Sequence, residues 1–187
     1  MDKQNNSEFE TAIFAGGCFW CTEAVFQRLS GVEQVISGYT GGTIKNPAYR
    51  EICTGRTGHA EAVKIIFNPT QVSYTELLEV FFATHDPTTM NRQGNDVGTQ
   101  YRSEIFYTSE GQKEEAEKFI ALLESEKVFP SKIVTAISEE KPFYNAEVEH
   151  QNYFNDNSNQ PYCQFIINPK IKKLEKHYAQ KLNTTLK

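Results

Sequence analysis

The sequence predicts an α+β two-layer sandwich with a mainly antiparallel, mixed sheet and long ordered loops. Three observations carry that expectation. Through Tyr107 the hydrophobic patterns run strand, helix, strand, strand, helix, strand, which is the split βαβ order of a ferredoxin-like core. Two helix starts are marked by capping boxes, Ser73 with Glu76 and Ser109 with Gln112. Two long intervening segments are rich in Gly, Tyr, Asn and Asp rather than Ser, Lys and Glu. Long loops of that composition inside a compact domain are expected to be ordered and functional.

Thr11 to Ala15 reads as a short buried strand. A helix follows from Thr22 to Ser30, with Val25, Phe26 and Leu29 on one face and Gly31 as its stop. Val32 to Tyr39 is a second strand, ended by Thr40-Gly41-Gly42. An irregular segment over 43–58 holds Asn46-Pro47 and a turn at Gly55-Arg56-Thr57-Gly58. Ala60 to Phe67 alternates Val63, Ile65 and Phe67 against Ala62, Lys64 and Ile66, which marks a strand, and Asn68-Pro69 closes it. The helix after Ser73 carries Leu77, Leu78, Val80, Phe81 and Phe82. A second long loop runs from His85 to Gln100. Tyr101 to Tyr107 is a strand, Glu110 to about Lys127 a charged helix, and Ile133 to Ile137 a further strand. Phe143 to Asn159 is aromatic and amide-rich, with room for one short helix. Cys163 to Ile167 reads as a last short strand and Pro169 to Leu182 as a basic surface helix. Residues 1–9 are expected to form a flexible tail, and 10–187 a single domain.

A length of 187 residues allows one domain with a real core and little room for two. The net charge of −5 and the lack of a basic run argue against nucleic-acid and membrane-surface partners. No apolar run approaches the ~18 residues of a spanning helix, and Met1 to Glu10 has no apolar signal core. A cytoplasmic, monomeric protein is expected. There its four cysteines, Cys18, Cys21, Cys53 and Cys163, start as thiols.

The chemistry centres on Gly16-Gly17-Cys18-Phe19-Trp20-Cys21. Cys18 falls at a strand-to-helix turn, where unpaired N–H groups and the helix dipole favour a thiolate. Cys21 lies about one turn further on, close enough to form a disulfide after local adjustment. The pair suits sulfur redox chemistry or half of a zinc site. Phe19 and Trp20 offer an apolar wall for a small uncharged group. Glu61, at the mouth of a strand, suits an acid if burial raises its pKa, or is a plain edge-strand charge. Tyr49 and Tyr101 can donate to a developing oxyanion, or simply pack. Asp96 is a binding group or a turn former. For His59 and His85, satisfied structural roles outweigh metal ligation, since their spacing is no zinc pattern.

Four strings carry a resemblance over nearly the whole chain from Thr11. They are Gly16 to Trp20; Gly41-Gly42 with Asn46 to Tyr49; Thr57 to Ala62; and Gln93 to Ser103, with His150-Gln151 and Pro161-Tyr162-Cys163 continuing it. In this order they resemble the peptide methionine sulfoxide reductase A family. The resemblance implies reduction of the S epimer of methionine sulfoxide, free or in oxidised proteins. It implies Cys18 as nucleophile, Phe19 and Trp20 around the substrate methyl, and Glu61 as proton donor to the sulfoxide oxygen. Tyr49 and Tyr101 would hydrogen-bond that oxygen, and Asp96 would bind substrate backbone. A Cys18 sulfenic acid is the implied intermediate. No bound cofactor is implied; thioredoxin, or dithiothreitol in vitro, is the reductant. Many relatives have Gly where Cys21 stands and carry resolving cysteines near the C-terminus. Here Cys21, or else Cys163, is expected to resolve the sulfenic acid, and Cys53 to be structural. Two rival readings are a thioredoxin-like dithiol oxidoreductase and a zinc-binding interaction module.

Overall fold

The computed structural model describes residues 8–183. Apart from Glu8 and Phe9, the expected tail lies outside the described residues. In chain order the elements are β1 (Glu10–Gly16), α1 (Phe19–Phe26), β2 (Val32–Thr40), α2 (Tyr49–Ile52), β3 (Ala60–Phe67), α3 (Tyr74–Ala83), β4 (Arg92–Gln93) and β5 (Asp96–Val97). There follow β6 (Ser103–Tyr107), α4 (Glu110–Ser125), β7 (Ala136–Glu139), β8 (Tyr144–Asn145), α5 (Tyr153–Asp156) and α6 (Asn168–Tyr178). Among the described residues no helix is long and apolar enough to cross a membrane.

The main sheet runs β7-β6-β1-β3-β2-β8, antiparallel except for the parallel β6–β7 pair. Its four inner strands, β6-β1-β3-β2, have the order that a split βαβ pattern dictates. Side-chain parity assigns the faces. On β3, Glu61 shares a face with Val63, Ile65 and Phe67, which are fully buried beneath the helices. Opposite Glu61 in register stands Tyr39, and opposite Val63 stands Phe14. Phe14 stacks on Phe81 of α3 with centroids 4.8 Å apart and meets Phe26 of α1 at 5.7 Å. Each such side chain contributes about 1.5–3 kcal/mol by leaving water, so the helix face is the stable floor on which Glu61 is carried. The other face buries Ile13, Ala15, Ala60, Ala62 and Phe106 under Phe143.

Both helix starts marked in the sequence form. Ser73 accepts from Glu76 N while Glu76 accepts from Ser73 N, and Ser109 accepts from Gln112 N. The Gln112 side chain turns instead to Thr108 N and Thr11 O.

Several boundaries differ from expectation for identifiable reasons. Cys163–Ile167 is a π-helical turn, not a strand. Its buried positions, Cys163 and Ile167, continue to Ile171 and Leu174 of α6 at helical spacing. Pro169 can offer no N–H to the carbonyl four residues back, and the widened turn precedes it. Those buried residues also make α6 a packed element rather than a surface helix, and its regular part ends at Tyr178. Tyr101 ends a short 3₁₀ turn over Thr99–Tyr101, so the strand starts at Ser103. Ile133 and Val134 spend their N–H groups on Glu124 Oε1 and Pro87 O, and pairing with β6 starts at Ala136. Finally, α1 begins at Phe19 rather than Thr22, which makes Cys18 its N-cap residue.

Candidate active site

β1 delivers the chain to Cys18 through two glycines. Gly17 has φ +94°, and a Cβ there would lie 2.6 Å from Gln93 Cγ, so the turn needs glycine. Cys18 is 8% exposed. Its carbonyl accepts from Cys21 N at 3.1 Å, closing the first turn of α1. The helix start does not make Cys18 a resting thiolate, contrary to expectation. Burial pushes its thiol well above the usual range, and the hydrogen bond to Cys21 and the Glu61 charge push the same way. Desolvation outweighs the dipole here.

Glu61 is no edge-strand charge. β3 lies between β1 and β2, and Glu61 is 1% exposed. Phe19 N donates to its Oε1 at 3.2 Å, while Oε2 has no partner. Burial raises the carboxyl to about 8, against the Phe19 hydrogen bond that lowers it. At neutral pH Glu61 is therefore mostly a neutral acid with one free oxygen. Tyr49, first residue of α2, and Tyr101 both feel the Glu61 charge. Burial first, then that charge, raises each phenol and keeps it a neutral donor. The 3₁₀ turn that removes Tyr101 from the β6 ladder is what frees it for this position.

The aromatic pair divides its labour. Phe19 is 1% exposed and packs on Tyr39 and His150. Trp20 is partly exposed and held on three sides. Its indole N–H donates to His150 Nδ1 at 3.1 Å, its face lies on Tyr153 at 3.7 Å and 8°, and Tyr162 meets it edge-on. Glu147 accepts from Tyr49 N and Tyr39 OH, tying α2 to the same segment. Glu147, Tyr153 and Tyr162 had no assigned role in the sequence, and His150 was only part of a matching string. For Glu147 and Tyr153 the aromatic, amide-rich composition of 143–159 is the available signal, and for His150 and Tyr162 it is their place in the matching strings.

Cys21 faces a different setting. Its sulfur lies 3.7 Å from Tyr162 OH, which donates to Asp96 Oδ2 at 2.8 Å. Asp96 thus stands on β5 of a small hairpin, already engaged by a phenol. Both thiols, Asp96, Tyr162, Ile166 and Lys170 line a cavity of about 100 Å³. The Cys21 thiol is lowered to about 7, first by the hydrogen bond with Cys18 and against burial, with Lys170 and Tyr162 assisting. Between the two sulfurs, the proton belongs to Cys18. Cys163 is fully buried, and burial followed by the nearby Cys21 raises its thiol. It is therefore a spatial neighbour of Cys21 despite the sequence separation. Cys53, expected to be structural, is exposed at the end of α2.

The two histidines are satisfied. His59 Nε2 donates to Ile44 O at 2.6 Å and Nδ1 accepts from Gly42 N at 3.0 Å. His85 Nδ1 donates to Phe81 O at 2.6 Å and Nε2 meets Ser103 Oγ at 2.8 Å. Burial lowers His85 to about 4. Among the described residues, Glu147, Glu149 and His150 are the group that could hold a metal ion, and neither Cys18 nor Cys21 belongs to it.

A buried thiol beside a neutral acid, with a more acidic thiol one turn away, defines a thiol-dependent oxidoreductase. Comparison with known proteins sharpens the class. The profile of the family described as "Peptide methionine sulfoxide reductase" matches residues 10–182, and the chain belongs to that family. It is 54% identical to "Peptide methionine sulfoxide reductase MsrA" of Deinococcus radiodurans, covering 97% of this chain and 92% of that protein. Among solved structures it is similar to Mxr1 of Saccharomyces cerevisiae in reduced form, with TM-score 0.76, 33% identity, and 86% and 92% of the two chains covered. Mxr1 in complex with Trx2 matches with TM-score 0.54, 25% identity, and 82% and 90% covered. The thioredoxin-like and zinc-module readings give way to this membership.

Proposed function

We propose that this chain reduces (S)-methionine sulfoxide, free and in oxidised proteins, at Cys18, that Cys21 resolves the product, and that thioredoxin recycles the enzyme. One observation carries the reading: a neutral Glu61 with an unpartnered oxygen lies beside the Cys18 thiol in a buried site.

The sulfoxide oxygen accepts the Glu61 proton, with Tyr49 and Tyr101 as further donors. Protonation makes the substrate sulfur electrophilic. Cys18 yields its proton toward Cys21, its hydrogen-bonded neighbour, as its sulfur attacks. Oxygen passes to Cys18, giving a sulfenic acid and releasing methionine. Trp20, backed by Phe19, walls the methyl, and Asp96 meets substrate backbone. Cys21, now carrying the proton that Cys18 released, attacks the Cys18 sulfenic sulfur and passes that proton to the departing oxygen, so that a disulfide forms and water leaves. Glu61 regains its proton from solvent. A dithiol reductant restores both thiols and leaves as a disulfide. The Mxr1–Trx2 complex supports thioredoxin in that role. The sequence supports a cytoplasmic, monomeric protein in which 10–187 is one catalytic domain.

The test is incubation with racemic methionine sulfoxide and dithiothreitol. The S epimer should disappear and the R epimer persist, because methyl, oxygen and sulfur must meet Trp20, Glu61 and Cys18 at once. Equal loss of both epimers would overturn the reading.

A further inference from the structure

Glu23 is a buried carboxylate that this chemistry leaves unused. It lies on α1 with Trp20 and is 1% exposed, beside Ala24, Val25 and Phe26 of the apolar core. A carboxyl group in such a place must be hydrogen-bonded. Its Oε2 accepts from Ser37 Oγ on β2 at 3.2 Å. Its Oε1 accepts from Tyr153 N at 3.2 Å, and the backbone of Asn152 adds a further donor. Asn152 has φ +56°, a left-handed turn that aims Tyr153 back toward α1.

The same turn carries the partners of Trp20. Tyr153 lies flat on the indole, and His150 accepts its N–H. Ser37 is gripped from the other side as well. Gln151 accepts from Ser37 N at 3.0 Å and donates to Ser37 O at 2.8 Å. Glu23 and Gln151 thus clamp the 150–153 segment to β2.

We propose that Glu23 is a positioning residue for Trp20: by holding the Tyr153 N–H and the Ser37 hydroxyl, it fixes the ring on which the indole lies. This rests on Trp20 being the wall that meets the substrate methyl. Loosening the clamp widens that wall, so binding and methyl selectivity suffer while the chemistry at Cys18 and Glu61 continues.

Trp20 is the sole tryptophan of the chain, so its emission reports the stack directly. Glu23→Ala should raise KM for a methionine sulfoxide peptide about fivefold, on the scale of the one hydrogen bond, to Tyr153 N, that bears on the Trp20 stack, with kcat little changed. It should also narrow the preference for methionine over ethionine sulfoxide and raise Trp20 emission. Glu23→Gln keeps an acceptor for Tyr153 N and should restore all three. If Glu23→Ala does not fold, Ser37→Ala removes one donor and should give smaller changes of the same sign. Wild-type KM and emission in a folded Glu23→Ala or Ser37→Ala chain would overturn the proposal. Trp20→Leu separates the two claims: a wild-type KM there defeats the wall, whereas unchanged emission in Glu23→Ala defeats the clamp.

Discussion

Cys18 and Cys21 share one helical turn and titrate in opposite directions. Both sulfurs are buried and line one cavity, but Cys18 is faced by a carboxyl that repels a thiolate when ionised and keeps its proton in the hydrogen bond with Cys21. Cys21 receives the Cys18 hydrogen bond first, with Lys170 and the Tyr162 hydroxyl assisting, and these outweigh its burial. A helix N-terminus is common to both, so the dipole cannot account for the difference. What differs is the charge and hydrogen bonding around each sulfur. Reactivity is thereby placed where each step needs it. Cys18 stays a thiol until a substrate oxygen takes the Glu61 proton, and Cys21 is already acidic enough to attack the sulfenic acid that results.

The largest effect should come from Cys18→Ser, which removes the atom that takes the oxygen. Methionine release in a single turnover should be abolished, with far-ultraviolet dichroism unchanged. A residual burst would move the nucleophile elsewhere.

Glu61→Gln should slow single-turnover release by about 10²–10⁴-fold, the range of a positioned acid. The wild-type rate should fall as pH rises through about 8, where Glu61 loses its proton. The variant should lack that limb, and its deficit should shrink toward low pH, where solvent acid substitutes. A wild-type rate at neutral pH would remove Glu61 from the mechanism.

The comparison between thiols can be read by ultraviolet thiolate absorbance. The free enzyme should show a step near pH 7 that Cys21→Ser abolishes and Cys163→Ser retains. Lys170→Met should shift that step upward, since the lysine lowers the Cys21 thiol. A step that survives Cys21→Ser would reverse the assignment.

The smallest effect is on stability. Glu61 is raised to about 8 from its ordinary 4.5, so the folded chain holds a proton that the unfolded chain releases. Its contribution is best below about 4.5 and is lost progressively as pH rises through about 8. Glu61→Gln should therefore flatten the fall in Tm between about pH 4.5 and 8. An unchanged slope would mean that the carboxyl is not buried as described.

The sheet and its helices were legible because their signals are local and periodic. β3 alternates, and Ser73 and Glu76 cap α3, whereas α1 ends at Phe26, short of the Gly31 stop the sequence suggests. Cys18, Glu61 and the two tyrosines emerged from strings whose order along the chain is specific. The segment after Phe143 was illegible for a physical reason. Its residues make few repeating contacts with one another, and their order comes from α1 and β2: Tyr153 through Glu23, Gln151 through Ser37, His150 through Trp20. The placement of Cys163 is hard to read from the sequence for a different reason. A π-helical turn carries Cys163 into the core, and the helical period that marks it, Cys163, Ile167, Ile171 and Leu174, runs across Pro169, which reads as a helix start rather than an interior residue. The thiol titrations were also beyond the sequence, because a dipole can be inferred from a helix start but desolvation cannot.

The division of labour between Cys18 and Cys21 is tested most directly by pairing single-turnover methionine release with thioredoxin-coupled turnover in Cys21→Ser and Cys163→Ser. Cys21→Ser should release a single burst stoichiometric with Cys18, then stall with thioredoxin and accumulate a sulfenic acid that dimedone traps. Cys163→Ser should turn over nearly as the wild type. If Cys163→Ser stalls and Cys21→Ser turns over, resolution belongs to Cys163, and the acidic Cys21 thiol has no part in recycling.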